Sequence, residues 1–254
     1  MAKQMRSRSP IQSALLILLS CTISHGSTSP TNHIVLNPEQ TVKNTTFVVF
    51  DAETTGLDPL KDHIIELAAV RIQGGQIQES QSWLINPGIP IPPSTQRIHG
   101  ISTAMVSNAP AFPYSYSQFI TFVSDGILLS HNARFDRRFL MAEISRHNLS
   151  APDNTLHDTL RLFKRCFPKR RSYSLENLTR DLCPLMIPSA GTNCLTAALP
   201  RHQQFHSASW DAECTAALFL KAVGNLPDPT PLTEFARYCG APLSLKVEPA
   251  SKDQ

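Results

Sequence analysis

Thr46-Phe47-Val48-Val49-Phe50-Asp51-Ala52-Glu53-Thr54-Thr55-Gly56-Leu57-Asp58 opens with an unbroken apolar run rich in β-formers and breaks into acids. A run of this kind predicts a central strand buried on both faces, ending at Asp51. On extended chain, residues two apart point the same way, so Asp51 and Glu53 share a face. Adjacent carboxylates repel. They are tolerated where a cation neutralises them, and oxygen ligands of this kind suit Mg²⁺ or Mn²⁺. An isolated Asp-x-Glu is more often a pair of solvated turn residues, so its meaning depends on what the rest of the chain supplies.

Outward from this stretch, Ile64 to Ile72 and Gln76 to Ile85 read as two further strands joined at Gly74-Gly75, completing an antiparallel meander. A Pro-rich loop runs from Asn86 to Pro93, a helix is expected over Ser115–Val123, and a fourth strand over Gly126–Ser130. Arg134 to His147 places Phe135, Phe139, Leu140 and Ile144 at helical spacing. Further helices are expected over Thr159–Phe167, Ser174–Leu182 and Ser209–Val223, with a short one near Thr233–Tyr238. Strands first and helices interleaved afterwards predict α/β layers around one mixed sheet.

The chain has 254 residues, 41% hydrophobic and 17% charged, which suits one globular domain with terminal segments rather than wholesale disorder. The net charge is +3, yet residues 1–45 hold four Lys/Arg against Glu39 alone, leaving 19 basic and 19 acidic residues beyond. Attraction to nucleic acid would therefore need local clustering. Arg134 to Arg171 offers it, with ten Lys/Arg against Asp136, Glu143, Asp153 and Asp158. The plainer reading of that cluster is a solvated helix face and loop. Six scattered cysteines without a Cys-x-x-Cys pair read as reduced thiols, neither a disulfide framework nor a zinc site.

Two readings stay open for residues 1–26, where Lys3, Arg6 and Arg8 precede the apolar Ala14 to Leu19 and then Ser20-Cys21. They resemble a short secretory or lipoprotein signal, or form a non-folded extension from a start placed too far upstream. The extension reading is taken here, with a cytoplasmic protein as its consequence and export left open. The apolar run is too short to span a bilayer. Ser27 to Lys43 reads as a linker, so the expected division is an extension over 1–45, a catalytic domain over 46–224 and a tail over 225–254 that could dock a partner.

Two more acids follow buried or apolar elements. In Ser130-His131-Asn132-Ala133-Arg134-Phe135-Asp136 the acid falls in a helix's first turn, where the helix dipole favours negative charge. In His206-Ser207-Ala208-Ser209-Trp210-Asp211 another opens an apolar helix, with an imidazole on the loop before it. Four acids converging on two metal ions, with a nearby imidazole to take a proton, is what phosphodiester hydrolysis requires. Each piece is weak alone; the set in this order is a strong signal.

These residues resemble the His-containing branch of the DEDD exonuclease superfamily, most closely the proofreading ε-subunit type of bacterial DNA polymerase III. The likeness covers roughly Thr46 to Val223 and rests on Phe50-Asp51-Ala52-Glu53-Thr54-Thr55-Gly56-Leu57-Asp58, on His131 to Asp136, and on His206-x4-Asp211. Ile98-His99-Gly100-Ile101 and Tyr173 to Leu178 also look like family segments. The resemblance implies a ribonuclease-H-like exonuclease fold, α/β, with a central five-stranded mixed sheet flanked by helices. It implies two divalent ions, Mg²⁺ or Mn²⁺, with Asp51 bridging both, Glu53 and Asp211 completing one, and Asp136 holding the other. His206 would be the general base. Thr54, Thr55 and Leu57 would line the terminal nucleotide's pocket, with His99 and Phe135 nearby.

The departures are Ser130 where Gly is frequent, and Trp210 where a smaller residue is usual; core packing is expected of the indole. His202 is a second candidate base, but it lacks the four-residue gap to Asp211. The leading expectation is a 3′→5′ exonuclease acting on single-stranded or frayed 3′ ends of DNA, proofreading beside a DNA polymerase catalytic subunit. Its rivals are an RNA 3′-end-trimming exonuclease and a non-catalytic nucleic-acid-binding module. The complete acid set argues against the last.

Overall fold

A computed structural model describes residues 39–184 and 207–246. The elements in chain order are β1 (Phe47–Thr54), β2 (Ile64–Gln73), β3 (Gln76–Leu84), α1 (Pro93–His99), α2 (Thr103–Val106), α3 (Phe112–Val123), β4 (Ile127–Ser130), α4 (Arg134–Arg146), β5 (Leu156–Asp158), α5 (Thr159–Cys166), α6 (Leu175–Leu182), α7 (Ala208–Gly224) and α8 (Leu232–Cys239). The five strands form one mixed sheet in the order β3-β2-β1-β4-β5. β1 runs antiparallel to β2 and β2 to β3, while β4 is parallel to both β1 and β5.

The apolar run at the start of β1 is explained by helices on both sheet faces. Phe47 and Val49 enter one core with Phe163 of α5, Phe219 of α7 and Phe235 of α8. Val48, Phe50 and Ala52 enter the other, with Phe119 of α3 and Phe139 of α4. A strand covered on both sides must be apolar at every position, which is why alternation is missing there. β3 is an edge strand, exposed from Gln76 to Ser82, and its polar sequence matches that place.

The strand alternation also aims the acids. Asp51 and Glu53 continue the face of Phe47 and Val49, toward α7, and Glu66 lies opposite Glu53 on β2. The β1–β4 pairing stops at Val49↔Leu129, so the two parallel strands part beyond it and open a crevice at their carboxyl ends. Crevices at such ends are where open α/β sheets place their ligands.

The structure departs from the expected layout in several places. β1 runs three residues past Asp51, to Thr54. Two short helices, α1 and α2, occupy the stretch after the Pro-rich loop, with Pro93 supplying the helix's first residue. β5 has only three residues. The boundaries at 46 and 224 were drawn too tightly: Val42 and Leu232 belong to the core, and Thr41 bridges to Pro231. Phe235 packs on Phe47 and Phe219 at ring-centroid distances of 5.3 and 5.9 Å. The main chain of Leu243 then pairs with Leu156 of β5, and Leu245 is buried. Residues 225–246 are thus part of the domain, and the tail assignment is corrected for them.

Candidate active site

Asp51, Glu53 and Asp211 each present a carboxylate oxygen within 4.8 Å of the others. The first two come from β1, and the third from the opening turn of α7. α7 begins there because the Ser207 side chain caps it, accepting from the Trp210 N–H at 3.2 Å. Trp210 itself is buried, in keeping with the packing role expected of it. A fixed helix start sets where Asp211 lands.

Asp136 reaches the same cleft from α4. Its Oδ1 accepts from the Ala52 N–H at 3.2 Å, a donor beyond the last β1–β4 pair, and its Oδ2 accepts from the Ser130 hydroxyl at 2.5 Å. Ser130, in place of a frequent Gly, thus holds the carboxylate by a bond that Gly could not make. The second motif is pinned from behind as well. His131 Nε2 donates to the Tyr173 carbonyl at 2.9 Å, Nδ1 lies 3.1 Å from the Thr159 hydroxyl, and the Asn132 N–H donates to Asp158 Oδ1 at 3.0 Å. Burial lowers the His131 pKa against the opposing pull of the Tyr173 carbonyl, whose acceptance requires a proton on Nε2.

Crowding and burial raise the proton affinity of the acids. Asp51 is raised well above the usual carboxylate range, first by desolvation and then by Asp136, Asp211, Glu53 and Glu66. Desolvation also raises Glu53 well above that range, with Asp211, Glu66 and Asp136 adding to it. Burial pushes Asp136 up to about 7 against the pull of its hydrogen bonds, and Glu66 to about 7 against the Ala208 N–H. No Lys or Arg is among the described residues lining the cleft. Carboxylates gathered this closely, Asp51, Glu53 and Asp211 half-buried and Asp136 buried, fit a divalent cation that prefers oxygen ligands, and the donor set is all oxygen.

The cleft, of about 250 Å³, is also lined by Thr54, Gly56, Leu57, Thr95, Ile98, His99, His131, Asn132 and Phe135. Of the expected pocket residues, Thr54, Leu57, His99 and Phe135 line it. Thr55 does not, because its side chain is turned into the loop after β1. There the Thr55 hydroxyl donates to Asp62 Oδ1 at 3.1 Å and accepts from the His63 N–H at 3.0 Å. The Asp62 carboxylate also accepts from the Asp58 N–H at 2.9 Å. A Cβ at Gly56 would come within 2.3 Å of that carboxylate, so any larger residue there would displace Asp62 from these bonds. The loop holds Leu57 out at the rim, 79% exposed. His99 is buried and accepts from the Ile101 N–H on Nδ1 at 3.0 Å, which leaves the proton on Nε2. His206 and His202 lie outside the described residues.

One buried acid was missed. Glu66 interrupts Ile64-Ile65-Glu66-Leu67-Ala68-Ala69-Val70, and a lone charge in such a run was a signal available in the sequence. Its Oε2 accepts from the Ala208 N–H at 3.1 Å, tying the first turn of α7 to the sheet. Thr95 was missed because α1 itself was, and Ile98, though quoted within a family segment, was given no place in the pocket.

The RNase_T family, described as exonuclease, matches residues 48–184, more than half of the chain. The chain belongs to this exonuclease family. The match takes in Asp51, Glu53 and Asp136 but stops before Asp211, which the fold brings to the same place. Among curated relatives of this exonuclease domain, a DNA polymerase III PolC-type protein of Thermotoga maritima is 38% identical over 188 residues, 74% of this chain and 12% of that protein. A 3′-5′ exonuclease DinG of Bacillus subtilis is 35% identical over 188 residues, 72% of this chain and 18% of that protein. The chain therefore spans less than a fifth of these relatives. Exonuclease X, solved in complex with 5′ overhanging duplex DNA, is 26% identical with a TM-score of 0.55, covering 76% of this chain and 99% of that one. E. coli Exonuclease I, solved with a dT13 oligonucleotide, shares the fold at 19% identity and a TM-score of 0.58, over 76% of this chain and 44% of that one. This is the ribonuclease-H-like fold that the sequence led us to expect. No helix among the described residues is long and apolar enough to cross a membrane.

Proposed function

We propose that the chain is a divalent-metal-dependent exonuclease that removes nucleotides one at a time from the 3′ end of DNA, beside a DNA polymerase in the cytoplasm. The observation that carries this reading is the gathering of Asp51, Glu53 and Asp211 within 4.8 Å in a cleft shared with Asp136, in a chain of an exonuclease family. The 3′→5′ direction and the DNA substrate are taken from the names of the DinG and PolC relatives, and the polymerase from the latter.

Asp51 and Glu53 on β1 and Asp211 on α7 would hold one cation, with Asp51 and Asp136 holding a second. Mg²⁺ or Mn²⁺ bound there would activate water and stabilise the leaving oxygen. The chain's own part is positioning. Ser130 and the Ala52 N–H keep Asp136 aimed into the cleft, Glu66 keeps the α7 turn in place, and the loop behind Gly56 presents Leu57 against the terminal base. His206, five residues before Asp211, is assigned the proton transfer from the attacking water.

The test is to give the full chain and Mg²⁺ two 5′-labelled strands of one sequence, DNA and RNA. Stepwise shortening of the DNA strand, faster than the RNA, is expected. Prompt release of labelled mononucleotide would reverse the polarity, and faster RNA shortening would move the substrate to RNA.

A further inference from the structure

None of the basic cluster's Lys or Arg is among the described residues lining the cleft, and the structure leaves several of their charges without an ion-pair partner among the described residues. All four acids of the 134–171 segment are committed elsewhere. Asp136 is in the cleft, Glu143 is buried against Arg146 at 2.6 Å, Asp153 pairs with Lys246 at 3.3 Å, and Asp158 accepts from the Asn132 and Leu160 N–H groups. Arg170 pairs with Asp181 at 3.4 Å. Lys164, Lys169 and Arg171 are exposed, and no carboxylate among the described residues lies within ion-pair distance of them.

These three cations sit on or beside one braced loop that abuts the cleft. The Tyr173 hydroxyl donates to the Phe167 carbonyl at 2.8 Å, closing the loop on itself, and Lys164 Nζ lies 5.9 Å from the Tyr173 ring centroid. The Tyr173 carbonyl accepts from His131, which lines the cleft. Arg171 is two residues away, so its Cα lies within about 7.6 Å of that of Tyr173. Lys169 holds φ at +64°, uncommon for a residue with a side chain, so the loop keeps a shape that a free chain would avoid.

We propose that Lys164, Lys169 and Arg171 form a phosphate track that carries the substrate strand out of the cleft, binding backbone phosphates 5′ to the nucleotide being removed. The inference rests on the exonuclease reading and adds a strand-holding surface to it. An acidic cleft whose described lining holds no Lys or Arg attracts a polyanion only through the cations it would bind, and an adjoining basic loop adds attraction along the strand. Phosphate contacts of this type hold a strand without reading its sequence.

The test is fluorescence anisotropy of labelled dT3 and dT12 on the full chain in excess chelator across a salt series, with K164Q/K169Q/R171Q and K164R/K169R/R171K for comparison. Removing three phosphate contacts to a single strand should reduce the slope of log affinity against log salt by about two. Affinity for dT12 should fall about tenfold or more at low salt, and most of the gain from dT3 to dT12 should vanish. The charge-preserving variant should bind like the wild type. Equal slopes for wild type and Gln variant would overturn the track, as would equal loss in both variants. So would poly-glutamate displacing dT12 as well as unlabelled dT12 does. Hydrolysis by the same preparations in Mg²⁺ separates the two claims. A chain that degrades DNA but shows equal slopes loses the track alone, whereas one that neither binds nor degrades it loses the exonuclease reading too.

Discussion

Asp51 sits where β1 has passed its last pairing with β4, and four acids, Asp136, Asp211, Glu53 and Glu66, crowd it, against three for Glu53. Replacing it with Asn should be the most damaging single acid change, and a near-normal rate for Asp51→Asn at ordinary Mg²⁺ would contradict its central place. The crowding has a consequence for stability. Asp51, Glu53, Asp136 and Glu66 all have folded-state pKa values raised above those of the unfolded chain. Stability from a raised carboxylate is full below its unfolded value, near 4, and is lost as pH climbs through the folded value, about 7 for Asp136 and Glu66. In chelator, melting temperature should therefore fall between pH 5 and 8, and Mn²⁺ should raise it more at pH 8 than at pH 5.5. A chelated protein whose melting point rises over that range would show that these acids are not crowded in solution. His206→Ala should slow turnover by about two to four orders of magnitude. Added Mg²⁺ should rescue Asp211→Asn in part but leave His206→Ala unrescued. If His202→Ala loses activity while His206→Ala keeps it, the base is the other histidine.

At the scale of elements, the site depends on how α7 meets the sheet. From β2, the Glu66 side chain bonds to the first turn of α7. Glu66→Gln keeps an acceptor for the Ala208 N–H, whereas Glu66→Ala removes it. The Ala variant should bind Mn²⁺ about 10- to 100-fold more weakly, the scale for losing a group that orients metal ligands, and the Gln variant should stay near wild type. Equal binding by Ala variant and wild type would remove Glu66 from the positioning of Asp211. The legibility of these elements in sequence follows their physics. The sandwiched run of β1 and the helical spacing of α4 were readable because each buries a face over many residues. β5, three residues long, gives no periodicity, and α1 begins behind prolines that read as loop. The acids of the three motifs were found from their order along the chain. Glu66 and Ser130 were missed as working parts because their partners, Ala208 and Asp136, are brought to them only by folding.

For the whole molecule, the sheet closes only when both ends of the described chain are in place: Val42 beside Leu232, α8 against β1 and α7, and Leu243 against β5. Phe235 is fully buried between Phe47 and Phe219, so Phe235→Ala should cost about 3–5 kcal/mol by chemical denaturation. A loss under about 1 kcal/mol would put α8 outside the cooperative core. Both faces of the sheet must be covered for β1 to hold its acids rigid, and this joins the stability of the fold to the chemistry of the cleft. The acids that this fold gathers are read as a site for divalent metal, and calorimetric titration of Mn²⁺ into the full chain and into Asp51→Asn decides whether they bind it. The expected result is saturable binding by the wild type and affinity weakened by more than about tenfold in the variant; equal affinity and stoichiometry in the two, or no binding by either, would contradict that reading.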